Sequence, residues 1–403
     1  MSSVNFMEKL LDGVSVEWRA LGEVTLATSN IRWRDTDRTY RYIDLTSVSI
    51  ETKTITDTPE VTSSNAPSRA QKLVEKDDVI FATTRPAQQR YCLIDDEYSG
   101  EVASTGYCVL RAKKNEVLPK WILHWIASAD FKTYVEENQS GSAYPAISDA
   151  KVKEFKLPIP CPDNPKKSLE IQVEIVRILD AFTELTAELT AELTAELTAR
   201  KKQYNHYRDQ LLSFEEGEIE WKTLAELAEN LDSKRKPITS GLRDAGDIPY
   251  YGASGIVDYV KDYIFDGDFL LVSEDGANLL ARSTPIAFSV SGKSWVNNHA
   301  HVLKFETYAE RRYVEYYLNS IDLTPYISGA AQPKLNQKNL NGIEVPNPSP
   351  EEKKRIVAIL DKFDALTNSI SEGLPREIAL RQKQYEYYRN LLLSFPKPEE
   401  VTA

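Results

Sequence analysis

Apolar residues recur at alternating intervals of three and four positions in two long segments of the chain, residues 163–214 and residues 349–397. This spacing aligns one apolar row along a helix and is typical of helices that pair in a coiled coil. Each helix needs a partner for its row, and the simplest partner is the other helix, packed antiparallel as a rod. The residues predicted to pair are Ile171, Ile175, Ile178, Phe182, Leu185 and Leu189 in the first helix, and Ile356, Ile359, Phe363, Leu366 and Ile370 in the second.

The first helix contains a repeated four-residue word, Thr-Ala-Glu-Leu, in the stretch ELTAELTAELTAEL at residues 184–197. Ala, Glu and Leu are strong helix formers, and neither Gly nor Pro interrupts the run, so each word adds about one turn of helix. At the matching place the second helix has Gly373 and Pro375. Because proline removes a backbone donor and clashes with the preceding turn, the sequence predicts a kink or restart in the second helix.

The remaining parts of the chain mix strand and helix patterns. Short β-rich runs that follow acidic turns occur in DDVIFATT (77–84) and GDFLLVSEDG (267–276). Amphipathic helical patterns occur in WILHWIAS (121–128) and YVEYYLNS (313–320). We therefore expect mixed α/β domains outside the two long helices.

Internal repeats show that the chain is a tandem duplication. The segment RKKQYNHYRDQLLSF (200–214) returns as RQKQYEYYRNLLLSF (381–395), with ten of fifteen positions identical at a shift of 181. The same shift relates IVRILDAFTELT (175–186) to IVAILDKFDALT (356–367). The stretch between the two repeated segments therefore has the same length in each half of the chain. The order of domain and helix is therefore repeated, with an internal pseudo-twofold relation between the two halves.

The predicted fold class is α+β, with two globular mixed α/β domains joined by the two long helices of an antiparallel coiled-coil rod. Between the matching landmarks the domains differ greatly in sequence, which indicates two modules doing the same job on different targets. The predicted bounds are 1–162 for the first domain, 163–214 for the first helix, 215–348 for the second domain, 349–397 for the second helix and 398–403 for a tail.

Composition limits the compartment and the mode of binding. The 403 residues include 61 acidic and 49 basic side chains, a net charge of -12, which argues against a freestanding electrostatic DNA binder. The three cysteines have no close pairing, as expected in a reducing compartment. No apolar run approaches the roughly 18 residues that span a bilayer. These features predict a cytoplasmic protein without a membrane partner.

Motifs for catalysis or metal binding are largely missing from the sequence. SGKS (291–294) looks like the end of a phosphate-binding loop, but the upstream glycine position holds Ala287. His299 and His301 suggest a metal pair, yet no Cys or carboxylate joins them at ligand spacing, so a structural or DNA-facing role is favoured. We expect no metal in this chain and no catalysis by the chain alone.

The helical segments resemble a known family. Two variable domains alternate with two similar helices, which follow the proline-rich segments KLPIPCPDNPKKSLEIQVEIVRILD (156–180) and IEVPNPSPEEKKRIVAILD (343–361). Together with the TAEL word, this organisation resembles the DNA-specificity subunit of type I restriction-modification systems, in the subgroup that carries TAEL repeats. The resemblance covers nearly the whole chain and is strongest in the helices.

The resemblance implies a function and a set of partners. Each variable region is expected to be a target recognition domain that reads one half of a split sequence in double-stranded DNA. The rod is expected to set the spacer between the half-sites and to dock two methyltransferase subunits, which two restriction (motor-nuclease) subunits join. S-adenosylmethionine, ATP and Mg are expected in those partner subunits and no cofactor in this chain.

An acidic chain can still read bases if its partners supply most of the phosphate contacts and its own basic groups are local. Arginine suits guanine, and asparagine or glutamine suits adenine, in the major groove. For each single candidate the alternative to a base contact is that the residue is an ordinary solvated side chain. The candidates for DNA binding are Arg32, Arg34, Arg38, Arg41, Arg85, Arg90, Ser142 and Tyr144 in the first domain, and Lys234, Arg235, Lys236, Tyr251, Ser254, Arg282, Asn297, Asn298, His299, Gln332 and Lys334 in the second.

Two other function classes compete with DNA recognition. One is an interaction scaffold joined by coiled coils, without a DNA role. The other is a fused nuclease or methyltransferase, whose motifs the sequence lacks. Gel-shift binding with and without methyltransferase subunits discriminates the scaffold, and a methyl-transfer assay without partners discriminates the enzyme.

Overall fold

The computed structural model describes residue 11 and residues 13–215, 217–329, 332–369 and 372–397. The chain folds into two compact units. Unit 1 ends at Ala191 and resumes at Ala379, whereas unit 2 is Glu192–Ile378. Both boundaries fall inside long helices, so each unit combines residues from the two halves of the duplication. Ile370 and the tail predicted at 398–403 lie outside the described residues.

Strands form most of the framework of both units. In chain order they are β1 (Val16–Ala20), β2 (Thr25–Leu26), β3 (Tyr40–Ile43), β4 (Glu60–Val61), β5 (Ala70–Leu73), β6 (Val79–Ala82), β7 (Tyr91–Leu93), β8 (Val102–Ser104), β9 (Tyr107–Ala112), β10 (Lys156–Pro160), β11 (Trp221–Thr223), β12 (Glu229–Asn230), β13 (Ala245–Gly252), β14 (Gly255–Val260), β15 (Phe265–Ser273), β16 (Ala287–Val296), β17 (Ala300–Lys304) and β18 (Glu344–Pro346). The strands predicted at 77–84 and 267–276 are confirmed as β6 and β15, with shifted ends.

Helices cover the sheets and continue as the rod segments. They are α1 (Leu21–Val24), α2 (Pro119–Ile126), α3 (Ala129–Asn138), α4 (Asp149–Glu154), α5 (Pro165–Leu211), α6 (Leu224–Leu227), α7 (Asn278–Ala281), α8 (Tyr308–Ser320), α9 (Gln337–Asn341), α10 (Pro350–Asn368) and α11 (Gly373–Leu392). The helices predicted at 121–128 and 313–320 are confirmed as α2 and α8. Within the described part of the chain, no helix is long and apolar enough to cross a membrane.

Each unit contains its own sheets. Unit 1 has two four-stranded sheets, of order β2-β9-β6-β7 and β4-β3-β8-β5, and unit 2 has a six-stranded sheet of order β12-β17-β15-β16-β13-β14. Neighbouring strands are antiparallel except for β3 with β8 and β13 with β16. One strand pair is common to both units, since β1 pairs antiparallel with β10 and β11 pairs antiparallel with β18. These pairs join the start of each predicted domain to its proline-rich end.

The main core of each unit is completed by helix-end residues from the other sequence repeat. In unit 1, Phe395 packs edge-on against Trp121 of α2 with ring centroids 5.6 Å apart, and Leu393 is buried in the same cluster. In unit 2, Leu212 is buried and Phe214 packs against the cluster around α8. The repeated Leu-Ser-Phe ending therefore has the same structural role in both units.

Antiparallel helix segments meet through one aromatic contact that recurs in both units. In unit 1 the rings of Phe182 and Tyr388 stack with centroids 5.7 Å apart, and in unit 2 the rings of Phe363 and Tyr207 stack at 5.7 Å. The four residues are related in pairs by the shift of 181. In unit 1 the hydroxyls of Thr183 and Tyr385 are also hydrogen-bonded at 2.9 Å. Tyr204, Tyr207, Tyr385 and Tyr388 thus pack against the partner helix segment.

The apolar row predicted for pairing is not buried uniformly. Its first residues, Ile171, Ile175 and Ile356, are buried in the cores of the units because the helices begin against the sheet-and-helix domains. The TAEL residue Leu185 is 51% exposed. The remaining described members are intermediate in burial, and they are Ile178, Phe182, Leu189, Ile359, Phe363 and Leu366.

The two long helices differ at the position of Gly373. The helix α5 runs without a break through the TAEL words, whereas α10 ends at Asn368 and α11 begins at Gly373, which confirms the predicted restart. Gly373 has a φ of +76°, and a Cβ there would lie 2.4 Å from the carbonyl oxygen of Ala365. Only glycine therefore fits at the restart without moving backbone atoms.

We predict that Gly373→Ala lowers the stability of the protein more than Gly217→Ala does. Gly217 also has a positive φ, +89°, but no neighbouring atom lies within 4 Å of the position that a Cβ would take there. Gly217→Ala therefore measures only the free energy that the left-handed backbone conformation costs an alanine. That cost is about 1–2 kcal/mol, and Gly373→Ala adds the backbone clash to it. Urea denaturation of the two variants measures the difference, and equal midpoints would contradict the required close approach at Gly373.

Candidate nucleic-acid interface

A seven-residue loop of sequence Ser-Gly-x-Ala-x-Pro-x occurs once in each unit, as SGSAYPA (140–146) and SGAAQPK (328–334). We call these segments the Ser-Gly loops. The first and seventh residues of each loop exchange two backbone hydrogen bonds, of 2.9 and 2.8 Å in unit 1 and 2.8 Å each in unit 2. The loops are therefore closed in the same way in both units.

Both Ser-Gly loops dock on the end of an interior strand. In unit 1 the amide of Arg85, after β6, donates to the carbonyl oxygen of Pro145 at 2.7 Å. In unit 2 the amide of Gly276, after β15, donates to the carbonyl oxygen of Pro333 at 3.2 Å. The residue after each loop is fully or nearly fully buried, Ile147 in unit 1 and Leu335 in unit 2. The two units thus present equivalent loops at equivalent strand ends.

In unit 1 the docked loop lies beside two of the predicted arginines. Arg85 is exposed, has a left-handed φ of 49°, and places its guanidinium carbon 5.3 Å from the centroid of the Tyr144 ring. Tyr144 is 71% exposed. Arg90, at the end of the same turn, donates a hydrogen bond to the backbone carbonyl of Val48. Arg85 and Tyr144 therefore face solvent together, whereas Arg90 also holds a neighbouring hairpin.

Lys53 is a further basic residue at this turn. Its ammonium group donates to the carbonyl oxygen of Gln89 and lies 4.6 Å from the centroid of the Tyr91 ring. Burial, with the like charges of Arg90 and Arg389, lowers the pKa of Lys53 to about 8. Sequence analysis missed this lysine because only tertiary structure brings residue 53 next to residue 89.

The predicted arginine cluster at residues 32–41 is exposed, except for the half-buried Arg41, and partly neutralised. Arg38 and Arg41 form ion pairs with Glu101 and Glu97, and Arg38 also lies over the Tyr40 ring at 4.5 Å. The remaining two members, Arg32 and Arg34, are exposed. Surface ion pairs of this kind are weak, so they leave the paired arginines accessible to a stronger anionic partner.

In unit 2 backbone hydrogen bonds bring several predicted segments together around the end of β15. The backbone amide of Asn297 donates to the carbonyl oxygen of Tyr251 at 3.1 Å, and the backbone amide of Glu274 donates to the carbonyl oxygen of His299 at 2.9 Å. The Ser273 hydroxyl donates to the carbonyl of Ala253, next to Ser254. Exposed predicted side chains on these segments and nearby are Lys234, Lys236, Ser254, Asn298, His299, Gln332 and Lys334.

Three predicted residues of unit 2 are less accessible than expected. Arg235 makes ion pairs with Asp232 and Glu274, and Asn297 is buried with its amide oxygen accepting from the His299 backbone at 2.8 Å. Arg282 is half-buried, and burial lowers its pKa. Arg235 and Asn297 are therefore removed from the proposed base-reading set, because their polar groups are used inside the unit.

The histidines have separate structural roles. His299 is exposed and hydrogen-bonds Asp275 at 2.8 Å, whereas His301 is buried and contacts Asp232 at 2.6 Å and the Leu335 carbonyl oxygen at 2.7 Å. Sequence spacing missed the carboxylate beside His301 because Asp232 lies 69 residues away. The SGKS stretch lies inside β16, paired with β15, and is not a phosphate-binding loop.

Asp232, Glu274 and His301 lie close enough to hold a metal ion, with ligand atoms within 4.8 Å of one another. Two cations already contact these carboxylates, however: Arg235 pairs with both, and Lys334 lies 3.0 Å from Glu274. Burial raises the pKa of Asp232, but the hydrogen bond from His301 and further contacts outweigh it and lower the pKa overall. We interpret the cluster as an ion-pair network that holds the strand end and the Ser-Gly loop.

The fold and the two equivalent loop clusters define a protein with two similar recognition units. Comparison with known proteins identifies the class. A family profile described as type I restriction modification DNA specificity domain matches residues 15–199 and 216–380. The chain therefore belongs to the family of type I restriction-modification DNA specificity proteins.

Individual relatives agree with this assignment. The chain is 38% identical over 431 residues to the type I restriction enzyme EcoR124I/EcoR124II specificity subunit of Escherichia coli, with 100% of both chains covered. It is 34% identical over 385 residues to the EcoprrI specificity subunit of Escherichia coli, covering 92% of this chain and 93% of that protein. A solved chain from a study of complex assembly and conformational transition of the type I R-M system has the same fold, with a TM-score of 0.69 at 20% identity over 94% of this chain and 97% of that chain.

We predict that Asp232→Asn destabilises the protein by about 3–5 kcal/mol, because it removes one charge from a buried ion-pair network and leaves Arg235 and His301 with Glu274 alone. Asp275→Asn, which affects only the partly exposed pair with His299, is the matched control and should cost about 0–1 kcal/mol. The folded pKa of Asp232 is below its unfolded value, so its contribution is present above about pH 4 and is lost as pH falls further.

Thermal unfolding with EDTA tests the metal alternative in the same experiment. An ion-pair network predicts an unchanged midpoint after chelation and a large loss for Asp232→Asn. A midpoint that falls on chelation and recovers with added zinc would overturn the ion-pair interpretation.

Proposed function

We propose that each unit reads one half of a bipartite DNA target. The observation that carries the proposal is the pair of Ser-Gly loops, closed and docked by equivalent hydrogen bonds in two units whose neighbouring side chains differ. Unit 1 offers Arg85 and Tyr144 at this position, and unit 2 offers Gln332 and Lys334. Two loops with the same backbone hydrogen bonds but different polar side chains are suited to read two half-sites of different sequence.

The predicted side chains that are exposed or half-buried, apart from Arg235, form the proposed DNA surface. In unit 1 they are Arg32, Arg34, Arg38, Arg41, Arg85, Arg90, Ser142 and Tyr144, and in unit 2 they are Lys234, Lys236, Tyr251, Ser254, Arg282, Asn298, His299, Gln332 and Lys334. With a net charge of -12 the chain repels the DNA backbone at long range. Most phosphate contacts are therefore assigned to partner subunits.

The partners proposed are two methyltransferase subunits and two restriction subunits. Methyl transfer, cleavage and the use of S-adenosylmethionine, ATP and Mg belong to them, and this chain is the non-catalytic specificity subunit. Large apolar side chains on the rod helices support a docking role, since Leu185, Leu380 and Tyr387 are each at least 43% exposed. Exposed apolar groups along a helix are stabilised when a partner covers them. The scaffold without a DNA role is not favoured, because the family is one of DNA specificity proteins.

The first test of this function is an exchange of one unit's variable part. Replacing residues 14–160 with the corresponding region of a related specificity subunit should change one half of the methylated sequence. The other half and the spacer should stay the same, because unit 2 keeps its own loops. Long-read methylation mapping in cells that express the complete system measures the result, and a change in both halves would rule out independent reading.

The second test concerns the spacer and the TAEL words. One word adds about 6 Å of rise and roughly 40° of net rotation, at about 1.5 Å and 100° per residue. One base pair adds about 3.4 Å and close to 35°, at about 10 to 10.5 base pairs per turn. We give rotation more weight, because a unit out of phase faces the wrong groove, whereas a few ångströms are absorbed by bending DNA at about 1–6 kcal/mol.

We therefore predict that deletion of Thr190–Leu193 shortens the unread spacer by one base pair and leaves both half-sites unchanged. The matched control replaces Thr190, Glu192 and Leu193 with alanine, which keeps the helix length and should keep the spacer. Methylation mapping of the two variants decides the point. An unchanged spacer in the deletion, or altered half-sites, would contradict a spacing role for the helix.

A further inference from the structure

The fifth residue of each Ser-Gly loop is held at the tip by the backbone of the loop. The second residue is glycine with a left-handed φ, +94° at Gly141 and +83° at Gly329. A Cβ at these glycines would lie 3.0 Å from the carbonyl oxygen of Tyr144 and 2.5 Å from that of Gln332. The carbonyl of the fifth residue thus lies over the glycine in both units, and its side chain is exposed.

The segment after each loop ties this tip to the body of its unit. The backbone amide of Ile147 donates to the carbonyl oxygen of Thr83 at 2.9 Å, and the backbone amide of Leu335 donates to the carbonyl oxygen of Glu274 at 2.8 Å. The next residue in each unit, Ser148 or Asn336, caps the short helix that follows, α4 or α9. A side chain carried on such an anchored frame is positioned accurately enough to discriminate between bases.

What differs between the two tips is the polar chemistry. In unit 1 the residue beside the loop, after the end of β6, is Arg85, whose guanidinium group lies over the Tyr144 ring. Neither side chain is needed to fill the core, since both are exposed. Stacking on an aromatic ring orients the planar guanidinium fork, and that fork matches the O6 and N7 acceptors of guanine.

In unit 2 the equivalent residue, after the end of β15, is Gly276, which has no side chain. Lys334, at the seventh position, has its ammonium group 3.0 Å from Glu274 and belongs to the ion-pair network. The exposed group that remains at the tip is the amide of Gln332. A glutamine amide matches the N6 and N7 groups of adenine.

We propose that the tip of each Ser-Gly loop, formed by its fifth residue and by the residue after the strand on which the loop docks, selects one base in each half-site. In unit 1 Arg85 contacts a guanine and Tyr144 is the positioning residue that orients it, and in unit 2 Gln332 contacts an adenine. This inference rests on the proposed function and adds the residues that determine specificity at one position of each half-site. It also separates these tips from the other basic residues, whose contacts are with phosphate.

The experiment maps methylation in cells that express the complete system with single variants of this chain. Gln332→Ala should relax one adenine position of the unit 2 half-site, so that other bases there are methylated, with a roughly 10- to 100-fold loss of discrimination. All other positions, including the whole unit 1 half-site, should stay unchanged. The unit 1 half-site thus serves as an internal control within the same DNA.

In unit 1, Arg85→Lys keeps the charge but removes the fork, so it separates a guanine contact from a phosphate contact. We expect it to relax one guanine position. Tyr144→Ala should relax the same position. Tyr144→Phe should keep the specificity for guanine there, because the ring and not the hydroxyl orients Arg85. Lys132→Ala, which removes an exposed charge from the helix α3 of the same unit, is the matched control and should leave the motif unchanged.

The outcomes separate this inference from the proposed function. If the unmodified chain directs methylation to a bipartite motif but Gln332→Ala and Arg85→Lys leave that motif intact, the tip assignment is wrong and the proposed function stands. If Arg85→Lys weakens methylation equally at all sequences, Arg85 is a backbone contact and the assignment is also wrong. If the unmodified chain directs no bipartite motif, the proposed function itself fails.

Discussion

The antiparallel packing of helix segments inside each unit is the interaction on which the rest of the structure depends. An amphipathic helix is stabilised when its apolar side chains are covered, and here Phe182 of α5 stacks on Tyr388 in unit 1, whereas Tyr207, further along α5, stacks on Phe363 of α10 in unit 2. The Phe182–Tyr388 stack and its counterpart, Phe363 with Tyr207, hold these segments in register. Because Leu393 and Phe395 also enter the core of unit 1, neither sequence repeat contains all the residues that either unit needs.

This shared construction leaves each unit free to vary at the loops that we propose contact DNA. The glycine, the proline carbonyl and the buried residue after each Ser-Gly loop hold its shape, whereas the side chains of Tyr144 and Gln332 are exposed. Selection for a new target can therefore change Tyr144 or Gln332 without a large change in stability. The ion-pair network around Asp232 shows the opposite behaviour, because its charges are buried and depend on one another.

Sequence patterns predicted the parts of the molecule that local chemistry decides. The run from Pro165 to Leu211 is helical because its residues favour helix throughout, and the break before Gly373 follows from glycine and proline at one place. The accessibility of Arg235 and Asn297 could not be predicted in this way. Arg235 pairs with Glu274, which lies 39 residues away, and Asn297 is buried where its amide donates to the carbonyl oxygen of Tyr251 in β13. The burial of the first row residues was missed for the same reason, because the spacing of Ile171 and Ile175 is identical for a paired helix and for a helix packed on a sheet.

The central claim is that two units of one chain read two separate stretches of DNA through equivalent loops. Methylation mapping of DNA from cells that express the complete system with the unmodified chain tests this claim most directly. The account predicts a motif of two specified half-sites that are separated by an unread gap of constant length. A single continuous motif, or methylation without sequence preference, would contradict it.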